Sequence, residues 1–552
     1  MNLKFALLGL AAVHAAVVFA AHPAPCIPVV GPVRPGGVDG RPFWNRYSLY
    51  FLHPPAFEFA PVEGAVKYRF TVLDDVLAEH VFEAERPTAD LSPVWKDLPV
   101  GYARVTVTGI GVDGKVCGEA GTRRFWRQAP FVPDIPWGYG EAAKRYYDWL
   151  FDQPNTVSFR EKGVPNGGHV DLLEIYPSKM DSALVQAMVR YAKMCPERRA
   201  AALKTARNAA DYLLSISQPA GAPLAHFPPT YWKKENQKTD FASIRYRGQV
   251  MLVYPAQVGL AYLALGEATD ERKYVDAAVR IAETYAKLQL ANGTWHLKLW
   301  EKDASPVLEK GSKEAFNLIP TGVCDFLYRL AKVTGDARWR GIADRAFSYI
   351  EAGPLKTYDW AAQFEDTNQT RDYVGQCSVP AFQTALLLLE QFPGDAARVA
   401  QARELADWVE DQFVFWRHPC RSDGRGILSE PSEVFSPHWG DGSNPKHDFS
   451  NWIEVPSVTE KYHYNQPESG LAGSMARLYL KLYRVTREHL YLQKARALGD
   501  GIVKVQAMFG GGNIPTHYWK SDGRGNTGVS DWINCGIDTA MSLEELSALT
   551  ER

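Results

Sequence analysis

The 552-residue chain carries no excess of charge of either sign: 61 Lys and Arg stand against 63 Asp and Glu, a net charge of −2. That balance removes the basic footprint nucleic acid demands, so no nucleic-acid partner is expected. Cysteine is sparse, at 7 residues, and none forms a CxxC or CxxH pair. Such spacing excludes a disulfide scaffold and offers no zinc site, so neither metal nor cofactor is expected. No Walker, Rossmann or GxSxG fingerprint occurs in a strand-to-helix context. After the first 21 residues no stretch approaches the ~20 uninterrupted apolar residues a bilayer core requires, so the mature chain has no membrane span. Disorder is excluded as well, because 46% of the residues are hydrophobic and 22% charged. What the chain does have is aromatics: 12% of the sequence, with 16 Trp and 26 Tyr.

The first residues combine Lys4, an apolar run from Phe5 to Ala21 and small residues at Ala20 and Ala21. This is the pattern of a secretory signal peptide over residues 1–21, which places the mature protein outside the cell or in the periplasm. A linker is expected over 22–40. In that oxidising setting Cys26 and Cys117 are candidates for a bridge, and the other thiols are expected to be buried.

Residues 41–130 read as strands. Val66–Leu73 and Tyr102–Gly109 alternate in polarity, with turns at Pro61–Gly64 and Val112–Lys115. Several short strands in ~90 residues predict a small β-sandwich. The segments Phe57–Pro61 and Leu98–Tyr102 around these turns resemble fibronectin type III modules, which implies docking or spacing and not catalysis.

Past Trp137 the pattern becomes helical and repetitive. An apolar helix, a Thr/Gly/Asp turn and a charged amphipathic helix recur from Gly259, Gly322 and Gly470, with weaker copies near Asp181 and Pro380. A sixth apolar helix near Gly536 has no partner after it, and Gly138–Leu150 is a charged helix with no partner before it. If the two meet, the hairpins close into an (α/α)6 toroid over residues 137–552, and the fold class is mainly α with a small β-sandwich in front.

The connections between hairpins are long: Asp152–Lys179, Gln218–Tyr254, Ala291–Thr321, Gly353–Ser378, Phe413–Pro467 and Gly510–Asn534. All emerge on one rim, over the N-termini of the inner helices, and loops of that length in compact domains are mostly functional. They hold much of the aromatic excess, including Trp232, Trp295, Trp300, Trp360, Trp416, Trp519 and Trp532. Exposed aromatic faces among polar groups suit the stacking of sugar rings.

The six-hairpin order, with an Asn292-Gly293-Thr294-Trp295 loop start and long loops on one rim, resembles the six-hairpin glycosidase superfamily. The resemblance implies a poly- or oligosaccharide substrate and leaves the reaction open between hydrolysis and elimination.

Candidate chemistry concentrates in Val458–Gly470, which brings His463, Tyr464, Asn465 and Glu468 to the mouth of the fifth inner helix, where the helix dipole is positive. Glu468 is equally readable as a helix-capping acid. Further carboxylates are expected in matching loops at Glu365-Asp366 and at Asp531. Hydrolysis needs two carboxyl groups, one protonated and one ionised, and the pair is expected among Glu468, Asp366 and Asp531. The rival is β-elimination at a uronic acid, with His463, Tyr464 and Asn465 as acid, base and neutralising groups and Arg245 or Arg247 holding the carboxylate. Trp232, Trp300, Trp360, Trp519 and Trp532 are the expected stacking residues. A third possibility, from another class, is a non-catalytic glycan-binding protein.

Overall fold

The computed structural model describes residues 48–166, 176–231, 246–308, 313–361, 363–365, 376–418, 452–461, 464–518 and 532–550. The segments expected to be the signal peptide and linker, and Cys26 of the candidate bridge, lie outside them.

The front of the chain is built of strands. β1 (Tyr50–Phe51), β3 (Lys67–Asp74), β4 (Glu79–Ala84), β6 (Gly101–Ile110) and β7 (Val116–Arg127) form a five-stranded sheet in the order β1-β7-β6-β3-β4. β1 runs parallel to β7 and the other pairs are antiparallel. β2 (Ala56–Glu58) and β5 (Thr88–Asp90) form a separate two-stranded sheet. Phe57 of β2 packs edge-on against Phe51 of β1 and Phe125 of β7, so the small sheet rests on the large one. The alternation read from Val66–Leu73 is kept: Tyr68, Phe70 and Val72 are buried while their neighbours reach solvent.

The rest is mainly helical. The inner helices are α3 (Pro177–Met194), α5 (Tyr254–Thr269), α7 (Thr321–Thr334), α9 (Ser378–Gln391), α11 (Ser469–Thr486) and α13 (Ile533–Thr550). Five outer helices follow the first five: α4 (Arg199–Ile216), α6 (Arg272–Leu288), α8 (Ala337–Ala352), α10 (Ala396–Phe413) and α12 (His489–Met508). The sixth outer helix is α1 (Tyr139–Phe151), which packs on α13, so the first and last helices complete one hairpin. Each inner helix touches the next in chain order and α13 touches α3, which closes the ring. A short helix that the sequence reading leaves in a loop, α2 (Pro154–Lys162), follows α1.

Local sequence explains the division. α5 is apolar on nearly every side and is buried on nearly every side, as a helix enclosed by neighbours requires. α6, by contrast, buries only one stripe, including Tyr274, Ala278, Ile281 and Tyr285. The turn between α7 and α8 is capped at both ends: Gly335 ends α7 with φ +71°, and the Asp336 carboxylate accepts the Arg338 amide at the start of α8. Asp395 does the same for α10.

α11 and α13 approach unusually closely. A Cβ on Gly473 would stand 2.7 Å from Cα of Thr539, and one on Gly470 would stand 2.9 Å from Cα of Cys535. Both neighbours are backbone atoms and cannot step aside. Gly473→Ala is therefore expected to cost about 1–3 kcal/mol by overpacking, seen as a lower thermal-unfolding midpoint; an unchanged midpoint would show that the helices separate freely.

The strand module is seated on α10. Arg86 bonds Glu404 at 3.0 Å, Arg123 pairs with Asp411 in a largely buried contact, and His53 meets Trp416 edge-on at 5.4 Å. Among the described residues no helix is long and apolar enough to cross a membrane.

Candidate active site

Because every long connection leads into an inner helix, the loops collect over one end of the ring, and the first turns of the inner helices meet beneath them. Four first-turn or pre-helix residues converge there: Lys179 of α3, Tyr254 of α5, Glu468 before α11 and Cys535 of α13. Glu365, from the loop before α9, joins them.

Glu365 is buried, at 1% exposure. Its Oε1 accepts from Lys179 Nζ at 2.7 Å, its other oxygen accepts the Tyr254 hydroxyl, and its main-chain carbonyl accepts the Tyr231 hydroxyl at 2.6 Å. Burial alone pushes a carboxyl up. Here the Lys179 charge, its hydrogen bond and the Tyr254 hydroxyl outweigh burial and hold Glu365 below the usual carboxylate range. Lys298 approaches the same carbonyl at 3.4 Å, presented by β9 (Lys298–Trp300), which pairs with β8 (Gln249–Met251).

Glu468 behaves oppositely. It occupies the N-cap position of α11, yet its carboxyl accepts no capping hydrogen bond from the helix. The capping reading of this residue therefore fails, and the side chain turns to α13 instead. Oε1 accepts from the Cys535 thiol at 3.2 Å, and Oε2 lies 3.8 Å from Nε2 of His517. Burial pushes Glu468 up to about 7; the thiol and Lys179 pull it down, and Asp538 adds to the rise. His517 is pushed down to about 4 by burial, so its ring is neutral beside the acid. The backbone holds this geometry: Glu468 N–H bonds Val458 C=O at 3.0 Å and Ser469 N–H bonds Thr516 C=O at 2.9 Å. Gly470 and Gly473 bring α11 against α13, and that contact sets Glu468 beside Cys535.

Aromatic rings frame the two acids. Trp532 stacks on Tyr176 with centroids 6.0 Å apart, and Lys179 Nζ sits 4.1 Å from the Trp532 ring centroid. Tyr231 packs on Tyr246, over whose ring Lys298 lies at 4.4 Å. Trp532 and Trp300 are both half-buried, and Trp300 shares a strand face with Lys298.

Of the residues expected from sequence, Glu468 and Trp532 are brought together here, and Trp300 lies on the strand that carries Lys298. Trp360 is a correction: it is fully buried, packed edge-on against Tyr358, and has no face to offer a sugar. Trp295 and Trp416 are likewise sealed, the Trp295 N–H donating to the Tyr285 carbonyl at 2.8 Å. Part of the aromatic excess thus forms small cores beneath the loops. Arg247 is exposed in the turn before β8. Tyr464 and Asn465 lie in the strand Tyr464–Pro467, which pairs with Ser457–Lys461. Asp366, Asp531, His463, Arg245, Trp232 and Trp519 lie outside the described residues. The sequence reading passes over Lys179, Tyr254 and Cys535; counting the polar residues in the first turn of every inner helix is the signal that finds them.

Among the described residues no cluster of His, Cys, Asp and Glu is placed to hold a metal ion. No family model and no curated protein matches the sequence. Among solved structures the chain is similar to a family 76 glycoside hydrolase from a bovine strain of Bacteroides thetaiotaomicron, at 11% identity and TM-score 0.45, covering 91% of this chain and 98% of that one. It is similar to the cellobiose 2-epimerase of Spirochaeta thermophila at 13% identity and TM-score 0.48, covering 74% and 97%. An unsaturated glucuronyl hydrolase specific for heparin matches at 8% identity and TM-score 0.44, covering 75% and 98%.

Proposed function

We propose that the protein is a carbohydrate-active enzyme, a glycoside hydrolase whose proton donor is Glu468. One observation carries the reading: two buried glutamates at one mouth are driven apart in acidity, Glu468 up to about 7 and Glu365 below its ordinary value. A protonated carboxyl and an ionised one, set apart by their surroundings, are the pair that glycoside hydrolysis uses. Glu468 gives its proton to the departing glycosidic oxygen. Glu365, locked by Lys179 and Tyr254, supplies fixed negative charge for the oxocarbenium-like transition state, and the half-buried faces of Trp532 and Trp300 support the sugar rings. Asp366 and Asp531, in the adjoining loops, remain proposed for the base or nucleophile.

In the same reading the strand module is a fibronectin type III-like sandwich that buttresses the toroid, and residues 1–21 direct the chain out of the cytoplasm to a polysaccharide or oligosaccharide there.

The product decides the reaction. Incubation with a panel of glycans is expected to release new reducing ends without absorbance near ~230 nm; an unsaturated product absorbing there would replace hydrolysis by elimination. Neither product would leave only binding. The pH profile is a second check. A general acid must be protonated, so turnover is expected to fall as pH rises through about 7. A flat profile across neutral pH would remove Glu468 from the role.

A further inference from the structure

The axis of the ring is hollow. A cavity of about 700 Å³ runs inside the six inner helices, and each of them contributes a polar side chain to its wall: Gln186, Gln257, Asp325, Gln383, Arg477 and Asp538. All six are half-buried. The cavity lining continues to the last turns of the inner helices, at Met194, Glu390 and Ala548, where exposed residues meet solvent. An entrance therefore lies on the face of short turns, while the lining also reaches Thr321 and Gly322 in the first turn of α7, toward the loop mouth. Glu365, Glu468, Lys179 and Cys535 take no part in the lining.

The polarity is expensive and unexplained by packing. A ring interior closes most stably around apolar side chains, and buried polar groups cost free energy unless they are bonded. Arg477 is satisfied on one side by Glu545 at 3.1 Å. Asp325 and Asp538 stand on helices at opposite sides of the ring, and neither accepts a hydrogen bond or forms an ion pair among the described residues. Burial pushes both up to about 6, the cost of leaving carboxyls there.

The chemistry of the wall selects the ligand. Two carboxyl groups oppose a bound anion, and Arg477, whose charge acts on both aspartates, opposes a metal cation. Three amides, two carboxyls and a guanidinium are joined in the lining by Glu267, Glu390, Glu544, Arg190, Lys193 and Arg329, so acids and bases nearly balance and donors and acceptors stand on all sides. An uncharged ring bearing hydroxyls matches that arrangement, and the volume falls within the ~300–1,000 Å³ of small-ligand sites.

We infer that the axial cavity is a second binding site, entered from the face opposite the loops, for a neutral mono- or disaccharide. The inference does not rest on catalysis at the mouth, although Asp538 also adds to the rise of Glu468.

The test is calorimetric titration of the full chain with glucose, mannose, galactose, xylose and their disaccharides. At least one is expected to bind saturably. Asp325→Asn and Asp538→Asn, which remove the costly buried charge and should fold, are expected to weaken that sugar at least ~10-fold, as loss of a hydrogen bond to a charged group does. Ala264→Trp, which fills the cavity from α5, is expected to abolish binding, with a thermal melt reporting that it folds. If no sugar binds the unaltered protein, or if binding survives both aspartate variants undiminished, the inference is overturned.

Discussion

Glu468→Gln is expected to lower turnover by about 10²–10⁴-fold while the protein folds and holds substrate as before, the range that removal of a general acid costs. Glutamine keeps the size and the acceptor oxygen, so the Cys535 thiol retains its partner at Glu468 Oε1. What disappears is the transferable proton. The variant should also be at least as stable as the parent near neutral pH. A carboxyl raised to about 7 binds its proton more tightly folded than unfolded, so its contribution to stability is full below the unfolded value near ~4.3 and is lost as pH rises through about 7. An amide has no such loss. Retained turnover in a well-folded Glu468→Gln would end the assignment; lost turnover on glycans with activated leaving groups, which need no acid, would point to misplacement of the site.

Lys179→Met is expected to be the most damaging single change to stability, at about 3–5 kcal/mol, because it strands Glu365 as an uncompensated buried charge. The side chains of Lys179 and Glu365 are 13% and 2% exposed, so water cannot replace the lost ammonium. The sign with pH follows. In the parent, Glu365 lies below its ordinary value, so its contribution is present above the unfolded value and is lost as pH falls through the folded one. Without Lys179, burial is opposed mainly by the Tyr254 hydroxyl, Glu365 moves up, and stability instead declines as pH rises. The deficit should therefore be large at neutral pH and small in acid. Lys179→Met combined with Glu365→Gln should recover most of it. Lys179 also pulls Glu468 down, so the single variant should shift the fall in turnover to higher pH. A deficit that ignores pH would assign Lys179 to packing on Trp532 alone.

Much of the fold is legible because each hairpin is a local object. Apolar and charged helices alternate, Thr/Gly/Asp turns separate them, and helix starts expected near Asp181, Gly259, Gly322, Pro380, Gly470 and Gly536 fall within a few residues of those observed. Even closure follows, since an unpartnered last helix and an unpartnered first one have only each other. The site is legible only in part. Glu468 announces itself in a dense polar run, but Lys179 and Cys535 lie in ordinary helical sequence and acquire meaning only when separate first turns converge. Glu365 and Asp366 are adjacent, and no periodicity says which one a loop turns inward. Aromatics mislead for a different reason. Long loops need apolar anchors of their own, and composition does not separate Trp360, which is buried beneath its loop, from Trp532, which is half exposed.

The closing hairpin has a consequence for synthesis. Tyr146 of α1 donates its hydroxyl to the carbonyl of Ile533, 387 residues further along the chain. At ~5–20 residues per second, roughly 20–80 s pass between the emergence of the two from the ribosome. For that interval Tyr147 of α1 can already meet Tyr191 of α3, but Tyr146, which packs against Gly536 of α13, lacks its cover. The nascent ring is an open arc, vulnerable to chaperone capture and to pairing with a neighbouring chain, and its last helix is the latch that ends that exposure.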